Sequence, residues 1–217
     1  MKTQSLLANI KEDFVSLPLY ILSRPFKGFY EMKHLQRGKT YFAWVMMALI
    51  CVAALAQETF TGFVVSRVYE QDSIISVPYV LLMTLAPILL FIAGNWSITA
   101  ITDGKGRAKE IFQVYAYASY PKIILTFIGI VVSNYVTKEE SAFALFFFYS
   151  GTALFLLYLF VGLVVIHEYT FMRSLAMVVE TILAMFLIIF VLALFVSLLN
   201  ELFTFIFDIA YEIRMKM

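Results

Sequence analysis

The sequence predicts an all-α integral membrane protein: a five-transmembrane-helix bundle with an N-terminal interfacial amphipathic helix. Three observations lead there. The first is composition: 62% of the 217 residues are hydrophobic and 14% are charged, with a mean hydropathy of +0.88. Soluble domains average roughly 45–50% apolar and about 25% charged residues. A core of this size cannot hide the surplus, because small folds leave much of their area exposed. The second is length: apolar runs near 41–60, 77–101, 121–136, 142–166 and 174–199 reach or approach the ~20 residues needed to cross a bilayer. The third is the uneven distribution of positive charge. Lys2, Lys11, Arg24, Lys27, Lys33, Arg37 and Lys39 precede the first run, Lys105, Arg107, Lys109 and Lys122 follow the second, and Arg173 follows the fourth. Only Arg67, Lys138, Arg214 and Lys216 fall on the other side, so the positive-inside rule puts the N-terminus in the cytoplasm. Five spans then put the C-terminus outside, and the expected location is a bacterial cell membrane.

The chain divides into residues 1–39, a cytoplasmic interfacial amphipathic segment; 40–199, the five-span domain; and 200–217, an external C-terminal amphipathic helix. In the first segment Leu6, Ile10, Phe14, Leu17 and Ile21 recur at spacings of three and four, the apolar stripe of a surface helix, with Pro18 a possible kink. Arg24-Pro25-Phe26-Lys27-Gly28-Phe29-Tyr30 then mixes cations with aromatics, which suits an interface carrying anionic lipid headgroups. Ala54-Leu55-Ala56 resembles a signal-peptidase site, but the ~40 residues before the first run are too long for a secretory leader. Cys51 has no partner for an intrachain disulfide.

Each span must be helical, since an isolated strand would leave its backbone groups unpaired in lipid. Tyr120-Pro121 predicts a proline at an early position of the third helix, where its missing N–H costs nothing. Thr137-Lys138-Glu139-Glu140 predicts a capping box at the start of the fourth. Beyond the fifth, Glu201, Thr204, Asp208 and Glu212 mark a polar face, with Phe203, Ile206, Ile209 and Ile213 mostly elsewhere on the wheel.

The turn Asp103-Gly104-Lys105-Gly106 poses a sharper question, because glycines around a lysine suggest a phosphate loop. A P-loop needs GxxxxGK followed by Ser or Thr, after a strand and before a helix. Here the spacing fails, no hydroxyl follows Lys105, and the preceding element is a membrane helix. The turn therefore reads as a glycine-broken connection carrying cytoplasmic charge. Asn95-Trp96-Ser97 matches a glycosylation sequon but sits near the cytoplasmic side.

Trp96, Asp103-Gly104-Lys105-Gly106, Tyr120-Pro121 and Arg24-Pro25-Phe26, on five spans with a cytoplasmic N-terminus, resemble the bacterial branch of the Yip (Ypt/Rab-interacting) membrane protein family. The resemblance covers roughly residues 20–200. It implies a membrane protein that works by association, its eukaryotic relatives being linked to small GTPases and vesicle traffic.

Polar groups inside a membrane are expensive, and each is a functional candidate. Asn95, Thr99, Thr102 and Asp103 form one stripe on the second span; Lys122, Thr126, Gly129 and Ser133 form another on the third. Arg173 and Glu180 share a face of the fifth span, with Glu180 roughly 10 Å inside the boundary. His167-Glu168 closes the fourth. The sequence thus predicts a cytoplasmic-side cluster of Asn95, Lys122, His167, Glu168 and Glu180, serving either as interhelical glue or as a ligand, ion or proton site. The spacing of His167, Glu168 and Glu180 fits no compact metal pattern. No serine or cysteine has a histidine base beside it. No catalytic residue, cofactor or metal is expected, and no nucleic-acid partner. The expected function is a non-enzymatic membrane adaptor or scaffold that binds another membrane protein, such as a transporter subunit, or a second copy, or that organises lipid. The alternative is a small permeation protein moving an ion or solute through the polar cluster.

Overall fold

The computed structural model describes residues 12–68, 76–102 and 104–216. A π-helical turn, Glu12–Ser16, leads into α1 (Leu17–Ser23) and α2 (Pro25–His34). Six more helices follow: α3 (Thr40–Phe60), α4 (Phe63–Val68), α5 (Val77–Ile101), α6 (Ala108–Ser133), α7 (Ser141–His167) and α8 (Phe171–Lys216). α3, α5, α6, α7 and α8 are each long and apolar enough to cross a membrane. The described residues thus form an all-α, five-helix integral membrane fold with short helices at its N-terminal side.

α6 is the centre of the bundle. It packs along α7 and α3, and its buried residues run from Ile111 and Val114 through Tyr117 and Ala118 to Thr126 and Ile130. Phe42 of α3 stacks on Tyr117 with ring centroids 4.3 Å apart. α5 and α8 pair with each other on one flank. The connections α5–α6 and α7–α8, together with the N-terminal helices, gather at one end, called here the basic end. The α3–α4 and α6–α7 connections meet at the other, where Gly62 N–H donates to Ser133 Oγ at 2.8 Å and Asn134 Nδ2 to the Phe60 carbonyl at 2.9 Å.

The N-terminal helices dock on protein through one face and leave the other free. Leu17, Ile21, Phe29 and Met32 are buried against the bundle, while Leu19, Phe26, Tyr30 and Leu35 are exposed. Tyr158 of α7 donates to the Leu22 carbonyl at 2.7 Å, and Tyr41 of α3 donates to the Asp13 carboxylate. Glu31 ties the segment to itself, accepting from Tyr20 at 2.9 Å and from Arg37 at 2.7 Å. Pro18 sits in the first turn of α1, where proline is tolerated, and the bend falls instead at Arg24, between the two helices. Leu6 and Ile10 lie outside the described residues.

Three boundaries differ from the sequence reading. The third span is not 121–136 but Ala108–Ser133, so Pro121 lies mid-helix rather than at its start. Gln113 and Ser119 in this added stretch are buried against other helices instead of facing lipid, which makes a buried central helix look like a loop to hydropathy. The fourth helix starts at Ser141: Glu140 accepts from Thr137 N–H at 3.2 Å, closing a turn ahead of the helix rather than a box within it. Finally, 174–199 and 200–217 are, as far as Lys216, one element. No glycine or proline interrupts the chain there, and α8 continues unbroken for 46 residues.

Candidate functional site

The polar residues of the basic end form a hydrogen-bonded chain that joins four segments. It starts in the turn between α5 and α6, where Gly106 N–H donates to His167 Nδ1 at 3.2 Å. Because Nδ1 is an acceptor, the neutral ring carries its proton on Nε2, which donates to Asn95 Oδ1 at 3.0 Å. Asn95 Nδ2 in turn donates to Thr181 Oγ1 at 3.0 Å, and Thr181 donates to the Met177 carbonyl at 2.7 Å. Every donor points the same way, from the turn through α7 and α5 to α8. Both ends of the chain are backbone groups. Asn95, His167 and Thr181 are fully or almost fully buried, so each unmade bond would carry the full desolvation cost of its group.

The glycines of the turn are required by space. A Cβ on Gly106 would lie 2.4 Å from His167 Cε1, and one on Gly104 would lie 2.6 Å from the Tyr169 hydroxyl. Tyr169 donates to the Thr102 carbonyl at 2.9 Å, holding the end of α5 against the α7–α8 connection. Asp103 lies outside the described residues.

Beside this neutral chain stands a charged one, centred on Glu168. Its backbone is left-handed (φ 57°, ψ 34°), the helix-ending conformation in which glycine is the usual residue. Glutamate is held there by what its carboxylate touches. Lys105 donates at 2.6 Å and Lys33 at 3.1 Å, with His34 3.6 Å away. Lys33 also donates to the Ile166 carbonyl at 2.7 Å, placing a cation at the negative end of α7. Hydrogen bonds from Lys105 and then Lys33 hold the Glu168 carboxyl at about 2, well below the usual range. Glu168 therefore fastens the N-terminal helices and the glycine turn to the end of α7.

Of the five side chains expected to cluster, Asn95 and His167 bond directly, and Glu168 follows His167 in the sequence. Glu180 turns elsewhere: both its oxygens accept from Arg173 on its own helix, at 2.7 and 3.1 Å. Lys122 is also elsewhere, because α6 starts so far before it that the residue stands mid-helix. The sequence reading does not reach Thr181, Met177, Tyr169 or Lys33. Ser174, Met177, Thr181 and Met185 do fall at spacings of three and four, and Met177 and Thr181 face Asn95 while Thr181 and Met185 lie against Gly94. Only Ser174 and Thr181 on that face are the small polar residues that usually mark a contact between membrane helices.

No family model matches the chain, and neither a curated protein nor a solved structure does. Among the described residues, no three His, Cys, Asp or Glu side chains come together as a metal would need.

Proposed function

We propose that the chain is a non-enzymatic membrane scaffold or adaptor that holds another membrane protein against α8. One observation carries this reading: the stretch of α8, Ile189 to Ile209, that has no neighbour burying it among the described residues. Its 46 residues span ~69 Å, more than twice the ~30 Å hydrocarbon thickness of a bilayer. α8 packs on α5 near its start, and from Ile189 to Ile209 every residue is exposed except half-buried Leu199. Phe203, Phe205, Ile206 and Phe207 lie in its distal part, next to Glu201 and Asp208. An apolar, aromatic face beyond the bilayer core is an interaction surface.

The buried polar chain supports the same reading. Its donors and acceptors bond one another from backbone to backbone, which suits a rigid joint better than a pathway. In this reading the turn behind the Yip-like resemblance is the packing joint of the basic end. The Yip-like resemblance supports a bacterial cell membrane as the location, and the distribution of positive charge supports a cytoplasmic basic end and N-terminus with the distal part of α8 outside.

The test is purification of the full chain from its native membranes in mild detergent, beside an Ile206→Asn, Phe207→Asn variant. A stoichiometric companion, or a second copy, should accompany the wild-type chain and be lost from the variant. Equal recovery with both, or no companion with either, rejects the reading.

A further inference from the structure

Among the described residues, Lys122 is the one charged side chain placed deep in the bundle away from either end. At 1.5 Å per residue it stands ~21 Å from the start of α6 and ~16 Å from its end. A charge at such a depth calls for a partner. Among the described residues its ammonium group makes no hydrogen bond or ion pair, although Gln57 and Thr126 line the same cavity. Its neighbour is the ring of Phe155, with Nζ 5.5 Å from the centroid.

Lys122 opens into a cavity of about 290 Å³ between α3, α5, α6 and α7. Ile50, Ala53, Pro87 and Ile88 make much of its wall apolar. Two of its hydroxyls are already engaged, Thr84 donating to the Val80 carbonyl and Ser119 to the Tyr115 carbonyl, both at 2.8 Å. Met83, at the edge of the cavity, is 54% exposed, so the cavity borders the outer surface of α5, the surface that faces lipid.

We propose that this cavity binds a single-chain lipid carboxylate, with the acid on Lys122 Nζ and the alkyl chain along the α3–α5 wall. The chemistry selects the class. A small inorganic anion would lose its water and leave the apolar wall unmatched. A neutral lipid would leave the ammonium group without a counter-ion. The volume is at the small end of ligand pockets, ~300–1,000 Å³, which suits one chain rather than two. The site does not depend on what α8 binds.

The full chain in phosphatidylcholine nanodiscs is titrated with radiolabelled laurate, with dodecanol as the uncharged competitor. Saturable binding near one laurate per chain is expected, with dodecanol a poor competitor. Lys122→Arg should bind within about threefold of wild type, and Lys122→Met at least tenfold more weakly. Ala54→Phe keeps the charge and fills the cavity, and should also bind at least tenfold more weakly. It decides the matter if Lys122→Met fails to fold. Absence of saturable binding to the wild-type chain overturns the proposal, as does equal competition by dodecanol or undiminished binding to Ala54→Phe or to a folded Lys122→Met.

Discussion

Gly106 and His167 meet at a backbone N–H to Nδ1 hydrogen bond of 3.2 Å, and this contact directs the imidazole proton toward Asn95. The glycine turn thereby sets the polarity of the buried chain that crosses α7, α5 and α8.

Gly106→Ala should be costly, because the new methyl group would press on the His167 ring. Overpacking of this kind destabilises by ~1–3 kcal/mol. Lys105→Gln removes a largely exposed ion pair to Glu168 and should cost less than ~1 kcal/mol. Unfolding of both variants in detergent, followed by circular dichroism, should separate them in that order. The reverse order would mean that the lysine, and not the close approach, is what the turn provides.

The buried chain should show coupling. Asn95→Ala leaves His167 and Thr181 short of a partner, and His167→Ala leaves Asn95 and Gly106 short of one. A double-mutant cycle should give an interaction of ~0.6–2 kcal/mol, the range found for polar contacts between membrane helices. Strict additivity would show that the contact does not stabilise the joint.

The fold and the site were legible to different degrees. Spans facing lipid were easy to read, since hydropathy measures lipid contact: Val77–Ile101 coincides with the run read from sequence. The first half of α6 was not, because Gln113, Ser119 and the alanines around Tyr117 pack on other helices. That early start is also what carries Lys122 away from the basic end. Asn95 and His167 stood out as costly groups in apolar runs. Their partners did not, since Thr181 is unremarkable in sequence, and Lys33 reaches Glu168 from 135 positions away. Such pairings are set by tertiary packing, and local spacing does not name the partner.

The Glu168 bridges should give the protein an acid-sensitive joint. A carboxyl held at about 2 when folded, against an ordinary value of 4.5, contributes stability that is fully present above ~4.5. That contribution disappears as the pH falls through the folded value. Glu168→Gln should therefore be less stable than wild type at neutral pH, and the difference should shrink between pH ~4.5 and ~2. A constant difference across that interval would remove the charge from the explanation.

Orientation follows from the positive charge of the basic end. In a Cys51→Ala background, cysteine at Lys105 should react with an impermeant thiol reagent only from the cytoplasmic side, and cysteine at Arg214 only from outside. Labelling of both from one side would contradict an odd number of crossings.

The central claim is that the free face of α8 holds a partner. The most direct measurement is photocrosslinking in living cells, with a photoreactive amino acid placed at Phe203, at Phe207 and, for comparison, at Leu187 nearer the start of the helix. The account expects discrete protein adducts, to another polypeptide or a second copy, at Phe203 and Phe207 and at most lipid adducts at Leu187. Lipid adducts alone at all three positions would contradict it.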